Sequence, residues 1–144
     1  MQNSKIELTM SITQGFDCSK TAYEADANFF EKDGKFFLLF DETNDDDGDL
    51  TKCRFEISKH ALRMRRNGPI VLEQTHVKAQ ETKGYIKTPF GHVATSVQTS
   101  QLSFKKSNNA TYYLELGYEL YTGEEKTGTY SLEITIRLKE GNRS

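Results

Sequence analysis

Four polar side chains occupy positions where a two-residue alternation places them among apolar neighbours: Arg66, Gln74, His76 and Tyr118. In a β-strand that alternation sends every second side chain to the same face of the sheet. A polar group on an apolar face must find hydrogen-bond partners or water, because burying it without them is costly. We therefore take these four residues as candidate ligand-binding residues, polar anchors among apolar walls.

Arg66 shares its face with Leu62 and Met64. Backbone carbonyls of the adjoining loop near Gly68 are the partners we favour for its guanidinium, which makes Arg66 structural. The alternative is a bound anion, since arginine recognises carboxylate or phosphate in a bidentate geometry. For His76 a packed, hydrogen-bonded ring is favoured over metal ligation, because the pattern brings no other histidine close to it.

Patterns that mark catalysis are absent from the sequence. It has no phosphate-binding glycine loop, no paired-cysteine motif, no zinc-binding helix motif and no nucleophile elbow. The carboxylates are expected to point outward or to lie in loops, so no acid–base pair is assigned. We therefore expect a protein without catalytic residues, a cofactor or a metal.

The acidic run from Asp41 to Asp49 invites comparison with a calcium-binding loop. If Gly48 were the loop glycine, Thr43 would take the first ligand position and Arg54 the last, and neither fits. The run is therefore predicted to be a mobile, solvated loop without a metal site.

Alternation with period two runs through the whole chain and predicts half-buried β-strands. No stretch repeats convincingly at 3.6 residues. The clearest apolar series are Ile6, Leu8, Met10 and Ile12; Tyr112, Leu114, Leu116, Tyr118 and Leu120; and Tyr130, Leu132, Ile134, Ile136 and Leu138.

Turn residues predict hairpins between strands that follow one another in the chain. Asp33-Gly34 suits a type I′ turn, which needs positive φ at both central positions. That turn places Phe29 opposite Leu38. At the next clear turn, a three-residue loop of Asn67-Gly68-Pro69 keeps the apolar faces matched and places Arg66 opposite Ile70.

Roughly eight to ten short strands with one apolar face each must stack as a sandwich or curl into a barrel. Barrel closure leaves no strand edge unpaired, so we predict an all-β fold: one closed antiparallel barrel spanning residues 1–144 as a single domain.

The charge balance argues against a nucleic-acid partner. Nineteen Lys and Arg residues against twenty-one Asp and Glu residues give a net charge of −2, which provides no overall positive field. Among the basic residues, Arg63 is predicted to lie between Glu56 and Glu73. Arg54 and Arg65 are then the outward cations without a predicted partner.

Neither a secretion signal nor a run of roughly 20 apolar residues is visible, so a cytoplasmic protein without a membrane partner is expected. Cys18 and Cys53 are expected to be free thiols in a reducing compartment.

Several segments resemble the YwiB-like family of uncharacterised bacterial proteins. The resemblance is carried by Arg66-Asn67-Gly68, by Thr88-Pro89-Phe90-Gly91, by the strands at 36–42 and 50–57, and by the two long final strands. His76, where an aromatic such as Phe is expected, and the acidic run depart from the family pattern. The resemblance implies a calycin-like (lipocalin-like) barrel with room for a cavity, and it implies no established activity.

Two functions of different classes remain open. The first is a non-enzymatic barrel that binds a small apolar or anionic molecule in its lumen. The second is a protein-interaction or structural module with a filled barrel, in its simplest form a homodimer. Phe30, Phe37 and Leu39 on the outer face would favour the second if exposed.

Overall fold

The computed structural model describes residues 2–43, 48–108 and 110–139. All of its regular secondary structure is β-strand. The ten strands are β1 (Gln2–Gln14), β2 (Asp17–Lys32), β3 (Lys35–Thr43), β4 (Leu50–Ile57), β5 (Ala61–Asn67), β6 (Val71–Val77), β7 (Glu81–Thr88), β8 (Gly91–Asn108), β9 (Thr111–Thr122) and β10 (Glu125–Leu138).

Each strand pairs antiparallel with its neighbours in the chain, and β1 pairs with β10 to close the barrel. The prediction of an all-β, closed antiparallel barrel is confirmed. The turn between β2 and β3 has the predicted backbone, with φ of 55° at Asp33 and 79° at Gly34. Phe29 lies opposite Leu38, as predicted.

The hairpin between β5 and β6 differs from its prediction. Arg66 lies opposite Leu72 and Asn67 opposite Val71, so the loop is Gly68 to Ile70 and the pairing is displaced by two residues. Ile70 then falls in the turn, where it is 54% exposed. Because side chains alternate with period two, a two-residue displacement leaves every side chain on its predicted face. Arg66 therefore still points inward.

The loop predicted for the acidic run begins later than expected, because Asp41, Glu42 and Thr43 belong to β3 and pair with Lys52, Thr51 and Leu50 of β4. These three residues extend the strand because β4 supplies hydrogen-bond partners for their backbone groups. Residues 44–47, on which the predicted mobility of the run depends, lie outside the described residues.

One end of the barrel is filled by four aromatic rings. Phe29 lies 4.9 Å from Tyr112 between ring centroids, and Phe36 lies 5.1 Å from Phe104. Phe104 and Tyr112 also stack on each other. Aromatic pairs at these separations add roughly 0.5–1.5 kcal/mol each beyond the burial of their area. Fully buried aliphatic side chains follow along the barrel axis, among them Leu38, Leu62, Leu114, Leu116, Leu132, Ile134 and Ile136.

The seam between β6 and β7 is the shortest ladder in the barrel, with three residue pairs from Val71–Lys87 to Glu73–Tyr85. Beyond it the Thr82 hydroxyl donates to the Thr75 carbonyl. At Gly84 the two backbones come so close that a Cβ atom would overlap the carbonyl oxygen of Glu73. Only glycine permits this approach.

No helix in the described part of the chain is long and apolar enough to cross a bilayer.

We expect Gly84→Ala to lower the free energy of unfolding by roughly 2–3 kcal/mol, because the added methyl group must push two backbones apart. Gly117→Ala is the matched control, since a Cβ there meets side-chain atoms at 3.4 Å or more. It should be neutral or slightly stabilising, because alanine loses less backbone entropy than glycine. Urea denaturation of both variants makes the comparison. Equal stability of the two would contradict the close approach at the seam.

Candidate functional site

The other end of the barrel contains a cavity of about 1350 Å³. Along β2 it contacts residues 21–25, whereas the aromatic end begins at Phe29, so the two ends are separate. The cavity is open to solvent at the end where the β1–β2, β3–β4 and β5–β6 connections lie. Its apolar lining comes from Leu8, Met10, Ala25, Phe40, Cys53, Phe55, Met64, Leu72 and Leu132.

A polar group of Tyr23, Glu42 and Arg66 interrupts this apolar lining. The Tyr23 hydroxyl donates to Oε2 of Glu42 at 2.5 Å, and Nη2 of Arg66 donates to Oε1 of the same carboxylate. Both carboxylate oxygens are thus engaged. The Arg66 and Glu42 side chains are 33% and 28% exposed, which places the pair at the edge of the cavity and not deep in the core.

Strand register brings these three residues together. Cys53 of β4 lies opposite both Phe40 of β3 and Arg66 of β5, so only one strand separates Phe40 from Arg66 on the inner face. Glu42, two residues beyond Phe40, points to the same face and reaches Arg66. The hydrogen bond from Tyr23 joins β2 to β3 past their last paired residues, Ala27 and Phe40.

The structure corrects the expected partner of Arg66. Loop carbonyls near Gly68 were favoured, but the guanidinium pairs with Glu42. The carboxylates were expected outside the barrel or in loops, and for Glu42 this was wrong because β3 continues through Thr43. The signal was present in the sequence: the inward series Phe36, Leu38, Phe40 continues to Glu42 at the same spacing.

Burial and charge set the protonation of this group. Burial acts to lower the pKa of Arg66, but the adjacent Glu42 carboxylate outweighs it and the pKa is raised. Burial, followed by Glu42, raises the pKa of Tyr23. Burial likewise raises the pKa of the Cys53 thiol to about 11. At neutral pH the group is therefore an arginine–glutamate ion pair beside a neutral phenol and a neutral thiol.

A second polar group, formed by Gln74, His76, Thr99 and Tyr118, lies buried in the barrel wall near the short seam. Nδ1 of His76 lies 3.0 Å from the Thr99 hydroxyl, and Nε2 lies 3.0 Å from Oε1 of Gln74. Because an amide oxygen only accepts, Nε2 carries the proton and Nδ1 accepts from Thr99. The Tyr118 ring packs against His76 with centroids 4.6 Å apart.

The four predicted site residues therefore all point inward but divide between two places. Gln74, His76 and Tyr118 form one buried group, and Arg66 lines the cavity with Tyr23 and Glu42. The packed, hydrogen-bonded ring favoured for His76 is what the structure shows. Within the described residues, two buried side-chain atoms have no hydrogen-bond partner: Nε2 of Gln74, a member of this group, and Oγ1 of Thr95 on β8.

On the outer face, Arg63 lies between Glu56 and Glu73, at 3.7 and 3.5 Å, as predicted. The expectation that Arg54 and Arg65 lack partners was wrong. Arg65 donates to Glu73 at 2.5 Å, and Arg54 lies over the Phe37 ring, 5.5 Å from its centroid. Arg65 and Glu73 are directly opposite in the β5–β6 ladder, whereas Phe37 lies two residues from Leu39, the cross-strand partner of Arg54.

Among the residues that the structure describes, no three His, Cys, Asp or Glu side chains are grouped so that they could hold a metal ion. Cys18 is exposed and Cys53 is buried, and both are free thiols.

His76 makes stability depend on pH. Burial lowers its pKa from the ordinary 6.5 to about 4. The unfolded chain therefore takes up a proton at a higher pH than the folded protein does. The contribution of neutral His76 to the free energy of unfolding is fully present above about pH 6.5. It decreases as the pH falls from 6.5 to 4, by up to about 3 kcal/mol.

Urea denaturation between pH 7.5 and 4 measures this loss. His76→Gln should show a smaller fall in stability over that interval than the wild type does. His92→Gln, at an exposed position, serves as the control and should keep the wild-type slope. If His76→Gln also keeps it, the ring is not buried in its neutral form.

The ion pair at the cavity edge is testable by a double-mutant cycle. Arg66→Leu leaves Glu42 half-buried without its cation and should cost roughly 1–2 kcal/mol, low in the range because the pair is partly exposed. Adding Glu42→Leu removes the uncompensated charge and should recover most of the loss. Arg65→Leu, which breaks an exposed pair on the outer face, should cost less than about 1 kcal/mol. A double variant less stable than Arg66→Leu would show that the pair does not act as described.

Comparisons with known proteins bear on the fold and the family. No curated protein matches the chain. The crystal structure of the ywiB protein from Bacillus subtilis is similar, with a TM-score of 0.83 over 96% of this chain and 92% of that chain, at 16% sequence identity. At that identity the likeness shows the shared barrel fold.

Residues 6–134 match the family described as "Domain of unknown function (DUF1934)". This match covers most of the chain, and together with the structural likeness it confirms the resemblance to the YwiB-like family. The chain belongs to the DUF1934 family.

Proposed function

We propose that this protein is a non-enzymatic barrel that binds a small, mainly apolar molecule in its open cavity. The observation that carries the proposal is the cavity itself: it measures about 1350 Å³, and its wall is largely apolar inside, with the Tyr23–Glu42–Arg66 group and further polar residues such as Thr51 and Glu24. Small-molecule sites typically measure roughly 300–1000 Å³ and combine apolar walls with a few polar groups. The cavity is therefore large enough for a small molecule together with some water.

Uneven filling of the barrel supports binding over a purely structural role. Side chains alone can fill a small barrel. Here four aromatic rings fill one end, while small residues such as Ala25 and Thr51 line the other. A chain that needed only a packed core would gain stability from larger side chains at those positions.

Exposed apolar side chains surround the open end. In an up-and-down barrel the β1–β2, β3–β4, β5–β6 and β7–β8 connections lie at one end. The large apolar residues at that end with the greatest exposure are Phe16, Leu50, Ile70 and Phe90. Apolar surface at the entrance favours capture of a ligand that is itself poorly soluble in water.

Binding without catalysis is favoured by the state of the polar group. A general base must turn a carboxylate oxygen towards the substrate proton, and hydrogen bonds to other partners oppose that. Both oxygens of Glu42 already accept hydrogen bonds, from Tyr23 and Arg66. The proposal includes the lipocalin-like type of barrel and the cytoplasmic location that were expected from the sequence.

A role as a protein-interaction module, in its simplest form a homodimer, remains a prediction. Phe30, Phe37 and Leu39 are half-buried, and Phe30 stacks on Phe37 with centroids 5.2 Å apart. Arg54 covers part of Phe37. These contacts leave less apolar surface for a partner than the sequence suggested.

Filling the cavity tests the proposal. N-phenyl-1-naphthylamine is uncharged and becomes fluorescent in apolar surroundings, so its titration reports an accessible apolar cavity. We expect saturable binding to the wild type. Ala25→Phe, which places a ring in the cavity, should weaken binding by at least about tenfold, a difference of roughly 1.4 kcal/mol.

Ala94→Phe is the matched control, because Ala94 is exposed on β8 and does not line the cavity. It should bind the probe like the wild type. Circular dichroism checks that both variants keep the barrel. The proposal fails if the wild type does not bind, or if Ala25→Phe binds as well as Ala94→Phe.

A further inference from the structure

We infer that the ligand of this cavity is electrically neutral, an uncharged molecule with an apolar body and a polar end that accepts hydrogen bonds. The inference rests on the proposed function and names the ligand class. It differs from the sequence interpretation, in which Arg66 was a candidate for binding an anion.

The inner wall carries one positive and one negative side chain among the described residues, Arg66 and Glu42, and they neutralise each other. The other charged residues at the cavity are Glu24, Asp41 and Asp49, which are all acidic and all exposed, so they belong to the rim, and Lys5 lies 4.0 Å from Glu24. The cavity therefore offers no unpaired positive charge, and the residues that line it carry more negative than positive charge.

An anion that binds the remaining N–H groups of Arg66 lies beside the Glu42 carboxylate, and an anion that displaces Glu42 leaves that carboxylate without its cation. The acidic rim adds further repulsion. A cationic ligand meets the converse obstacle, because Glu42 already accepts from both Arg66 and Tyr23. A neutral molecule leaves the pair intact, so it alone avoids these penalties.

The polar end of the ligand follows from what the wall still offers. A guanidinium has five N–H donors, and the bond to Glu42 uses one of them. The Thr51 side chain also lines the cavity. Donors in excess of acceptors suit a carbonyl or hydroxyl oxygen, as found in an amide, ester or alcohol.

A series of probes with one chain length and different head groups tests the inference. Decanol and decanamide are neutral, decanoate is anionic and decylamine is cationic at pH 7.5. Each competes with N-phenyl-1-naphthylamine for the wild-type protein. We expect the two neutral compounds to displace it at concentrations at least about tenfold lower than the two charged ones.

Glu42→Gln provides the decisive variant, because it removes the negative charge with little change of shape and leaves the Arg66 cation available. Decanoate should bind this variant at least about tenfold more tightly than it binds the wild type, whereas decanol should change by less than about threefold. Glu24→Gln is the matched control. It changes the net charge equally but at the exposed rim, so its effect on decanoate should be less than about threefold.

Titration of N-phenyl-1-naphthylamine and circular dichroism show whether Glu42→Gln keeps the folded cavity. Should it not, Glu42→Ala takes its place in the same competition, with the same expected gain for decanoate. The inference is overturned if decanoate or decylamine competes with the wild type as well as decanol does, or if removing the Glu42 charge leaves decanoate binding unchanged. Either result leaves the proposed function standing, because a ligand still binds. If N-phenyl-1-naphthylamine itself does not bind the wild type, the proposed function and this inference both fail.

Discussion

Pairing of β1 with β10 is the contact on which the rest of this structure depends. It runs for ten residue pairs, from Ser4–Leu138 to Thr13–Thr129, and it turns a meander with two open edges into a closed wall. An open edge would leave a row of backbone groups without partners. Once the wall is closed, each strand has an inside and an outside, and the period of two decides which side chains share the interior.

That constraint explains how an ion pair comes to lie in an apolar cavity. β3 continues beyond Phe40 to Thr43, so Glu42 must point inward. Arg66 must do so because it follows Leu62 and Met64 at the same spacing. With only β4 between their strands, the two side chains meet. In this half-buried position each charge stabilises the other.

The closed barrel and the local features of its hairpins followed from the sequence, while side-chain contacts between distant segments did not. The Asp33-Gly34 turn and the facing of Arg66 depend on a few adjacent residues, and both were predicted. The partner of Arg66 lies 24 residues away, inside an acidic run whose composition is typical of a loop. Composition misled there, because backbone pairing with β4 extends the strand through residues that would be solvated in isolation. The volume of the cavity was beyond prediction, since it depends on how ten strands coil together.

The location of the ion pair bears on why it is there. Replacing a buried ion pair with well-packed apolar side chains is often neutral or stabilising, so such a pair is weak evidence for a role in stability. In the aromatic end of the same barrel, four rings fill the space by packing on one another, and the Lys106 ammonium lies over the Tyr112 ring. The chain therefore fills that end with rings and does not do so at the open end. A fixed, internally neutral pair beside a cavity discriminates between ligands, because a charged molecule must either lie next to a like charge or displace an existing partner, while a neutral one need do neither.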